Sequence, residues 1–267
     1  MIRVNERVKG KKILITGASS GIGQYLAIHI ARQGGIPIMV ARSTARLEIM
    51  ADKIYDTFGV KSYWYEADLT NDANWKDIID QICYDHGSLD ALINNAGMAV
   101  FGLVSESKWQ DIDRMISVNV KSLFRTTHQL LPHFLQQRRG HIVNIASQAG
   151  KIATPKSAVY AATKHAVLGF TNALRMEVEE KGIFVTSVNL GPVRTNFFKQ
   201  ADPTGNYERA VDRIMLEPNE VALTVVNALF TKQREINLPS WMNSGSKVYS
   251  IAPVLMEKAM QGQFSKK

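Results

Sequence analysis

Cysteine is nearly missing from this chain of 267 residues, and with Cys83 alone no internal disulfide can form. Cys83 sits in "DIIDQICYDHG" beside Ile78, Ile79 and Ile82, which marks it as a buried apolar residue rather than a reactive thiol. Long apolar runs are absent, and none approaches the ~18 residues that suggest a membrane span. No low-complexity tract, internal repeat or linker divides the sequence, and no metal is expected. Aromatic residues make up 8%, and they are not interleaved with basic ones as in a platform for single-stranded nucleic acid. The opening "MIRVNERVKGKKILITG" enters a strand-like run directly, with no signal-peptide core or cleavage site. A reducing, cytoplasmic setting is therefore expected.

What remains is ordinary for a globular protein: 45% hydrophobic and 21% charged residues. The net charge is +8, with much of the excess at Arg3, Arg7, Lys9, Lys11 and Lys12 and at Lys266 and Lys267. A solvated basic surface is the default reading, and no nucleic-acid partner is expected. A weak membrane-surface contact stays open, and a polyanionic cofactor would account for part of the charge.

Strand-like runs occur at "KKILIT", "IPIMVA", "SYWYEA", "DALINN", "GHIVNIA", "IFVTSVNL" and, more weakly, "REINL". They are short, apolar and β-branched, as strands buried on both faces are. Helical patterns lie between them at 21–34, 44–58, 71–87, 109–138 in two pieces, 158–181 and 218–232. "TNDANWKDI" supplies helix-start residues, and "PNEVALTVVNALF" puts Pro where a helix accepts it. This alternation predicts an α/β, single-domain, doubly wound fold of the Rossmann type, with a seven-stranded, mostly parallel sheet flanked by helices. Ligands then gather beyond the carboxyl ends of the strands, where the strand order reverses.

"ILITGASSGIGQYLAIHIA" follows the first strand and opens the first helix. Gly17, Gly21 and Gly23 permit a tight turn, a close approach of pyrophosphate and close packing of helix on sheet. The helix N-terminus offers free N–H groups to an anion, and Ser19 and Ser20 add hydroxyls. The second strand ends at "MVARSTARLE", where a ribose 2′-hydroxyl usually meets Asp or Glu and a 2′-phosphate prefers Arg. Here Ala41 and Arg42 stand at that point, and no acid follows until Glu48. Arg42 is equally at home as a solvated helix-start residue; the missing carboxylate favours NADP(H) over NAD(H).

"SAVYAATKHAV" places Tyr160 and Lys164 four residues apart, on one face of a helix. A phenol ionises near ~10, too high for an ideal acid or base at neutral pH, and a nearby ammonium lowers that value. Taken singly, the pair reads as two surface residues.

Taken in order, the motifs resemble those of the short-chain dehydrogenase/reductase family, over nearly the whole chain to about residue 238. They are T-G-x-x-x-G-x-G at Thr16–Gly23, "DALINNAG" at Asp90–Gly97, Asn119 in "ISVNVKS", Ser147 in "NIASQAG", and Y-x-x-x-K at Tyr160 and Lys164. The resemblance implies Tyr160 as general acid in carbonyl reduction and base in alcohol oxidation. It implies Lys164 as the charge beside Tyr160 and a bond to the nicotinamide ribose. Ser147 would polarise the substrate oxygen, and Asn119 would hold a water in a proton relay. The small residues around Tyr160 and Lys164 would leave room for cofactor and substrate. Ile22 belongs to the glycine-rich turn; Asp68 and Leu69 would border the adenine, Asn95 the ribose side, and Val193 and Thr195 the carboxamide. Each of these residues also has a plain structural reading, as a strand end, a turn or a local backbone bond. One departure matters: the family's usual Pro-Gly after the sixth strand is Leu190-Gly191 here, with Pro192 next, which leaves the local backbone path open.

The resemblance further implies a homodimer or homotetramer, often through helices spanning 109–138 and 158–181. Residues 195–216 occupy the position of a substrate lid, with Phe197, Phe198, Tyr207 and Met215 as candidates for an apolar pocket. The tail 239–267 mixes Trp241, Met242, Tyr249, Ile251, Val254 and Leu255 with a basic end; closing the pocket, forming a subunit contact and touching a membrane are open, and pocket or subunit contact is favoured. Pro253 argues against one uninterrupted helix there. The leading expectation is an NADP(H)-dependent oxidoreductase acting on an apolar ketone or aldehyde; the alternative is an NADP(H)-binding regulator without turnover.

Overall fold

The computed structural model describes residues 5–264; Arg3, Lys266 and Lys267 lie outside the described residues. Seven strands form one sheet: β1 (Lys12–Thr16), β2 (Ile36–Ala41), β3 (Tyr63–Glu66), β4 (Ala91–Asn94), β5 (Gly140–Ile145), β6 (Ile183–Leu190) and β7 (Glu235–Leu238). Their spatial order is β3-β2-β1-β4-β5-β6-β7, and every neighbouring pair is parallel. Ile15 stands between Met39 and Ile93, so the order reverses beside β1, where β4 crosses to its other side.

The helices are α1 (Gly21–Arg32), α2 (Thr44–Phe58), α3 (Asp72–His86), α4 (Trp109–Ile116), α5 (Ser122–Gln137), α6 (Ala158–Val178), α7 (Phe197–Ala201), α8 (Asn206–Val211), α9 (Pro218–Asn227), α10 (Ser240–Ile251) and α11 (Pro253–Phe264). Side chains alternate across a strand, so each strand feeds two cores. Ile13, Ile15, Met39, Ile93 and Val143 pack with Leu26 and Ile30 of α1, Leu47 of α2 and Val225 of α9. Leu14, Ile38, Leu92 and Ile142 face the other way, onto Trp75 of α3, Phe134 of α5 and Leu174 of α6. Each fully buried Leu or Ile contributes about 1.5–3 kcal/mol, enough to fix the register of every strand. Cys83 is half-buried against the second core, and burial raises its thiol pKa, as an apolar role requires.

Local chemistry sets the helix ends. Asn71 caps α3, its side chain accepting from the N–H of Asn74 at 3.3 Å. Asn71→Ala is expected to cost about 1 kcal/mol, read as a lowered melting temperature with unchanged cofactor affinity. The helix expected over 218–232 stops at Asn227. Phe230 takes φ +60°, and its N–H leaves the helical ladder to donate to His141 Nδ1 at 2.9 Å. His141 is fully buried, and burial pushes its pKa down to about 3, so the ring stays neutral and can accept that bond. The run 109–138 divides into two pieces as expected, joined by a π-helical turn, Ser117–Lys121. The tail forms α10 and α11, interrupted at Ala252 just before Pro253.

Candidate active site

The carboxyl ends of the strands open into one cleft of about 1670 Å³. Gly17, Ser19, Ser20, Gly21 and Ile22 line one end of it. Gly17 has φ +66°, and a Cβ there would stand 2.8 Å from Ala96 Cα, so only glycine fits. Gly23 does not line the cleft; a Cβ on it would collide with the Gly17 carbonyl and press to 2.7 Å from Asn95 Nδ2. Asn95 ties the loop together, donating from Nδ2 to the carbonyls of Thr16 (2.9 Å) and Gly17 (3.1 Å) while also lining the cleft. Ser20 occupies the N-cap of α1 without a side-chain cap bond, and the first turn holds no acid. Its N–H groups and the helix dipole are therefore available to an anion.

Arg42 follows β2 and lines the cleft, as does Arg46 one helical turn on. Asp68 is the only acidic side chain among the lining residues. The Thr70 backbone N–H holds the Asp68 carboxyl below the usual range, helped by the Thr70 hydroxyl and by Arg42 and Arg114. Leu69 lines the cleft beside it.

At the other end stand Ser147, Tyr160 and Lys164. Ser147 follows β5; its Oγ accepts from Ala149 N (3.1 Å) and donates to the Leu190 carbonyl (3.2 Å). Lys164 is buried, donates from Nζ to the Ile145 carbonyl at 2.9 Å, and burial lowers its pKa to about 8. The phenol of Tyr160 is pushed up to about 12 by burial; a side-chain hydrogen bond with Ser147 pulls it down only in part, and Tyr207 adds to the rise. Burial thus outweighs any lowering of the phenol by its lysine. Lys164 aims at a carbonyl instead, with Nζ 5.8 Å from the Tyr160 ring centre.

Asn119 is buried inside the π turn and does not line the cleft. Its Oδ1 accepts from Met98 N (2.8 Å), and its Nδ2 donates to Met98 O (2.8 Å) and Thr163 Oγ1 (3.1 Å). The amide is thus fully engaged with protein partners, which leaves it no free group for the water expected there. Gly97 keeps the space between them open: a Cβ there would lie 3.5 Å from Asn119 Oδ1 and 3.6 Å from Lys164 Nζ.

Leu190 completes β6, and Gly191 N donates to the Leu238 carbonyl at 2.7 Å, so the path in doubt continues the strand. Val193 then bridges to Leu216, while the Thr195 methyl would stand 3.3 Å from a Cβ on Gly21. Both line the cleft, above the glycine turn.

Aromatic rings wall this end of the cleft. Phe101 meets Tyr160 edge-on at 5.9 Å and Tyr207 at 4.8 Å; Phe197 lies 5.8 Å from Tyr160. Phe197, Phe198 and Tyr207 line the cleft as expected, but Met215 does not. It follows the 3-10 turn Asp212–Ile214 in extended backbone that leads away to Leu216. Phe101 N donates to the Ala201 carbonyl at 2.8 Å, tying α7 to the loop after β4. Trp241, Met242 and Met256 bring the tail into the same wall. Sequence reading missed Phe101 and Gln148, whose buried Oε1 has no partner among the described residues, because neither belongs to a spaced motif. Arg46 was signalled only by its place one turn beyond Arg42.

The family model described as short chain dehydrogenase matches residues 11–206. An uncharacterized oxidoreductase of Staphylococcus epidermidis is 33% identical over 232 residues, covering 87% of this chain and 96% of that protein. A short-chain dehydrogenase from Sphingobium yanoikuyae, solved in complex with NADPH, superposes with a TM-score of 0.79 at 30% identity, covering 96% of this chain and 95% of its own. A 3-ketoacyl-(acyl-carrier-protein) reductase from Brucella melitensis, solved with NADH, gives 0.77 at 26% identity, covering 86% and 97%. With the glycine turn, the asparagine ties and the Ser-Tyr-Lys group in one cleft, the chain belongs to the short-chain dehydrogenase/reductase family of oxidoreductases.

Proposed function

We propose that this protein is an NADP(H)-dependent oxidoreductase that interconverts an apolar ketone or aldehyde with its alcohol. The observation that carries the reading is the convergence of Ser147, Tyr160 and Lys164 at one end of a cleft whose other end is a glycine turn at a helix N-terminus. The fit to a dinucleotide rests on the crowded Cβ positions at Gly17 and Gly23, the uncapped first turn of α1, and a cleft with a single acid. When bound, the cofactor supplies or accepts the hydride.

The protein residues manage the oxygen and its proton. Ser147 turns its hydroxyl from the Leu190 carbonyl to the substrate oxygen, holding it toward the phenol. Tyr160 Oη gives its proton to that oxygen in reduction and takes one back in oxidation. A phenol pushed up to about 12 is protonated at neutral pH, the state that reduction needs. Burial brings the Lys164 pKa down to about 8, so the amine is mostly charged at neutral pH yet close enough to it to release and regain a proton between solvent and the buried end of the cleft. The rings of Phe101, Phe197 and Tyr207 exclude water and favour an apolar carbonyl.

Arg42 supports the choice of NADP(H), with Arg46 beside it and no carboxylate at the end of β2. Titrating the protein with NADPH and NADH by fluorescence, then following cofactor absorbance with a panel of apolar carbonyls, tests the reading. Arg42→Asp is expected to weaken NADPH binding roughly 10–100-fold, the worth of one charge-assisted hydrogen bond, and to change NADH binding little. An equal effect on both cofactors overturns the phosphate contact, and selective binding without turnover on any carbonyl favours the regulator.

A further inference from the structure

We propose that the outer face of α10 and the start of α11 dock on an anionic lipid surface. Trp241, Val248 and Ile251 recur on one side of α10 at seven- and three-residue intervals, and Val254 and Leu255 extend the patch onto α11. All five side chains are between 56% and 85% exposed. These helices do not hang free: Met242, Gly245 and Met256 on their inner side line the cleft and Trp241 reaches its rim, so the apolar outer face is held in place from behind. Solvating so much fixed apolar surface is unfavourable, and a covering partner is implied.

Charge selects the partner. Between Ser240 and Ala259 the one acid is Glu257, and the Tyr249 hydroxyl already occupies it at 2.9 Å. Lys247 and Lys258 stand exposed beside the patch. The sequence continues to Lys266 and Lys267, within a chain of net charge +8. A second copy would set like charges against one another, whereas anionic headgroups pair with the lysines while hydrocarbon takes the apolar row. Trp241 suits the boundary between the two. No helix among the described residues is long and apolar enough to cross a membrane, so the contact lies in the interface plane. If the oxidoreductase reading holds, docking brings the rim of the substrate cleft next to the apolar phase in which such carbonyls dissolve.

The test is sedimentation of the full chain with vesicles of phosphatidylcholine alone and with roughly one-third phosphatidylglycerol, without cofactor or substrate. Binding is expected only to the anionic vesicles. Ile251→Glu combined with Leu255→Glu is expected to cut the bound fraction at least ~10-fold, and Lys247→Glu with Lys258→Glu to do the same without touching apolar packing. The melting temperature and NADPH affinity of each variant report that the fold survives. Failure of the wild type to bind, equal binding to neutral vesicles, or wild-type binding by both variants overturns the proposal. So does an Ile251→Glu/Leu255→Glu variant that only converts a dimer to a monomer, since the patch is then a subunit contact. Because vesicle binding requires no turnover, its loss is distinguishable from failure of the enzymatic reading.

Discussion

Tyr160→Phe is expected to lower kcat for carbonyl reduction by roughly 10²–10⁴-fold, the usual worth of a positioned general acid. The substituted ring keeps its edge contact with Phe101 and its place beside Phe197, so the walls of the cleft persist and NADPH affinity should hardly change. What disappears is the Oη proton and its bond with Ser147. Steady-state kinetics on any carbonyl found to consume NADPH, paired with a cofactor titration, separates the two effects. Near-normal turnover would remove Tyr160 from the chemistry and pass the role of proton donor to another group. Loss of NADPH binding together with turnover would instead identify the hydroxyl as part of the cofactor's seat.

Lys164→Met is expected to act in opposite senses on activity and stability. Turnover should fall by at least ~10²-fold, because Met cannot carry the proton that the buried amine would relay at this end of the cleft. The cofactor-free protein should nevertheless become more stable at neutral pH, by about 1–3 kcal/mol, since Met fills a similar volume without a desolvated charge. The sign follows from linkage. Burial lowers the Lys164 pKa from 10.5 to about 8, so between those values the unfolded chain binds more protons than the folded one. Stability of the wild type therefore rises with pH across that window, and the advantage of Met fades as pH approaches 10.5. The lost bond to the Ile145 carbonyl offsets part of the gain. Melting curves of both proteins at pH 7 and pH 10 check this; a variant less stable at both would mean that the bond outweighs the buried charge.

The fold was legible because its strands are buried on both faces and separated by amphipathic helices, a pattern with one common solution. Tyr160 and Lys164, Ser147 and the glycine turn were legible for a related reason: each is fixed by a short spacing along the chain. The state of the phenol was not legible. Spacing places an ammonium on the same helical face, but whether it points at the phenol or at a strand carbonyl depends on β5, which is distant in sequence. The early end of α9 was hidden in the same way, since Phe230 leaves the ladder for a histidine 89 residues away. Phe101 and Gln148 carry no periodic signal; residues 195–216, the tail and the loop after β4 meet only once the chain is folded.

The bonds from Asn95 to Thr16 and Gly17 also bear on how the cleft ages under stress. They anchor the glycine turn to the junction of β1 and β4, at the middle of the sheet, where local opening demands nearly global unfolding. The aromatic wall rests instead on α7 and α8, each of only five or six residues, with Phe101 N to Ala201 O as a cross-tie. Warming should erode the two ends of one cleft at different temperatures. Selectivity among carbonyls would blur first, while the dinucleotide seat would last until the central strands part.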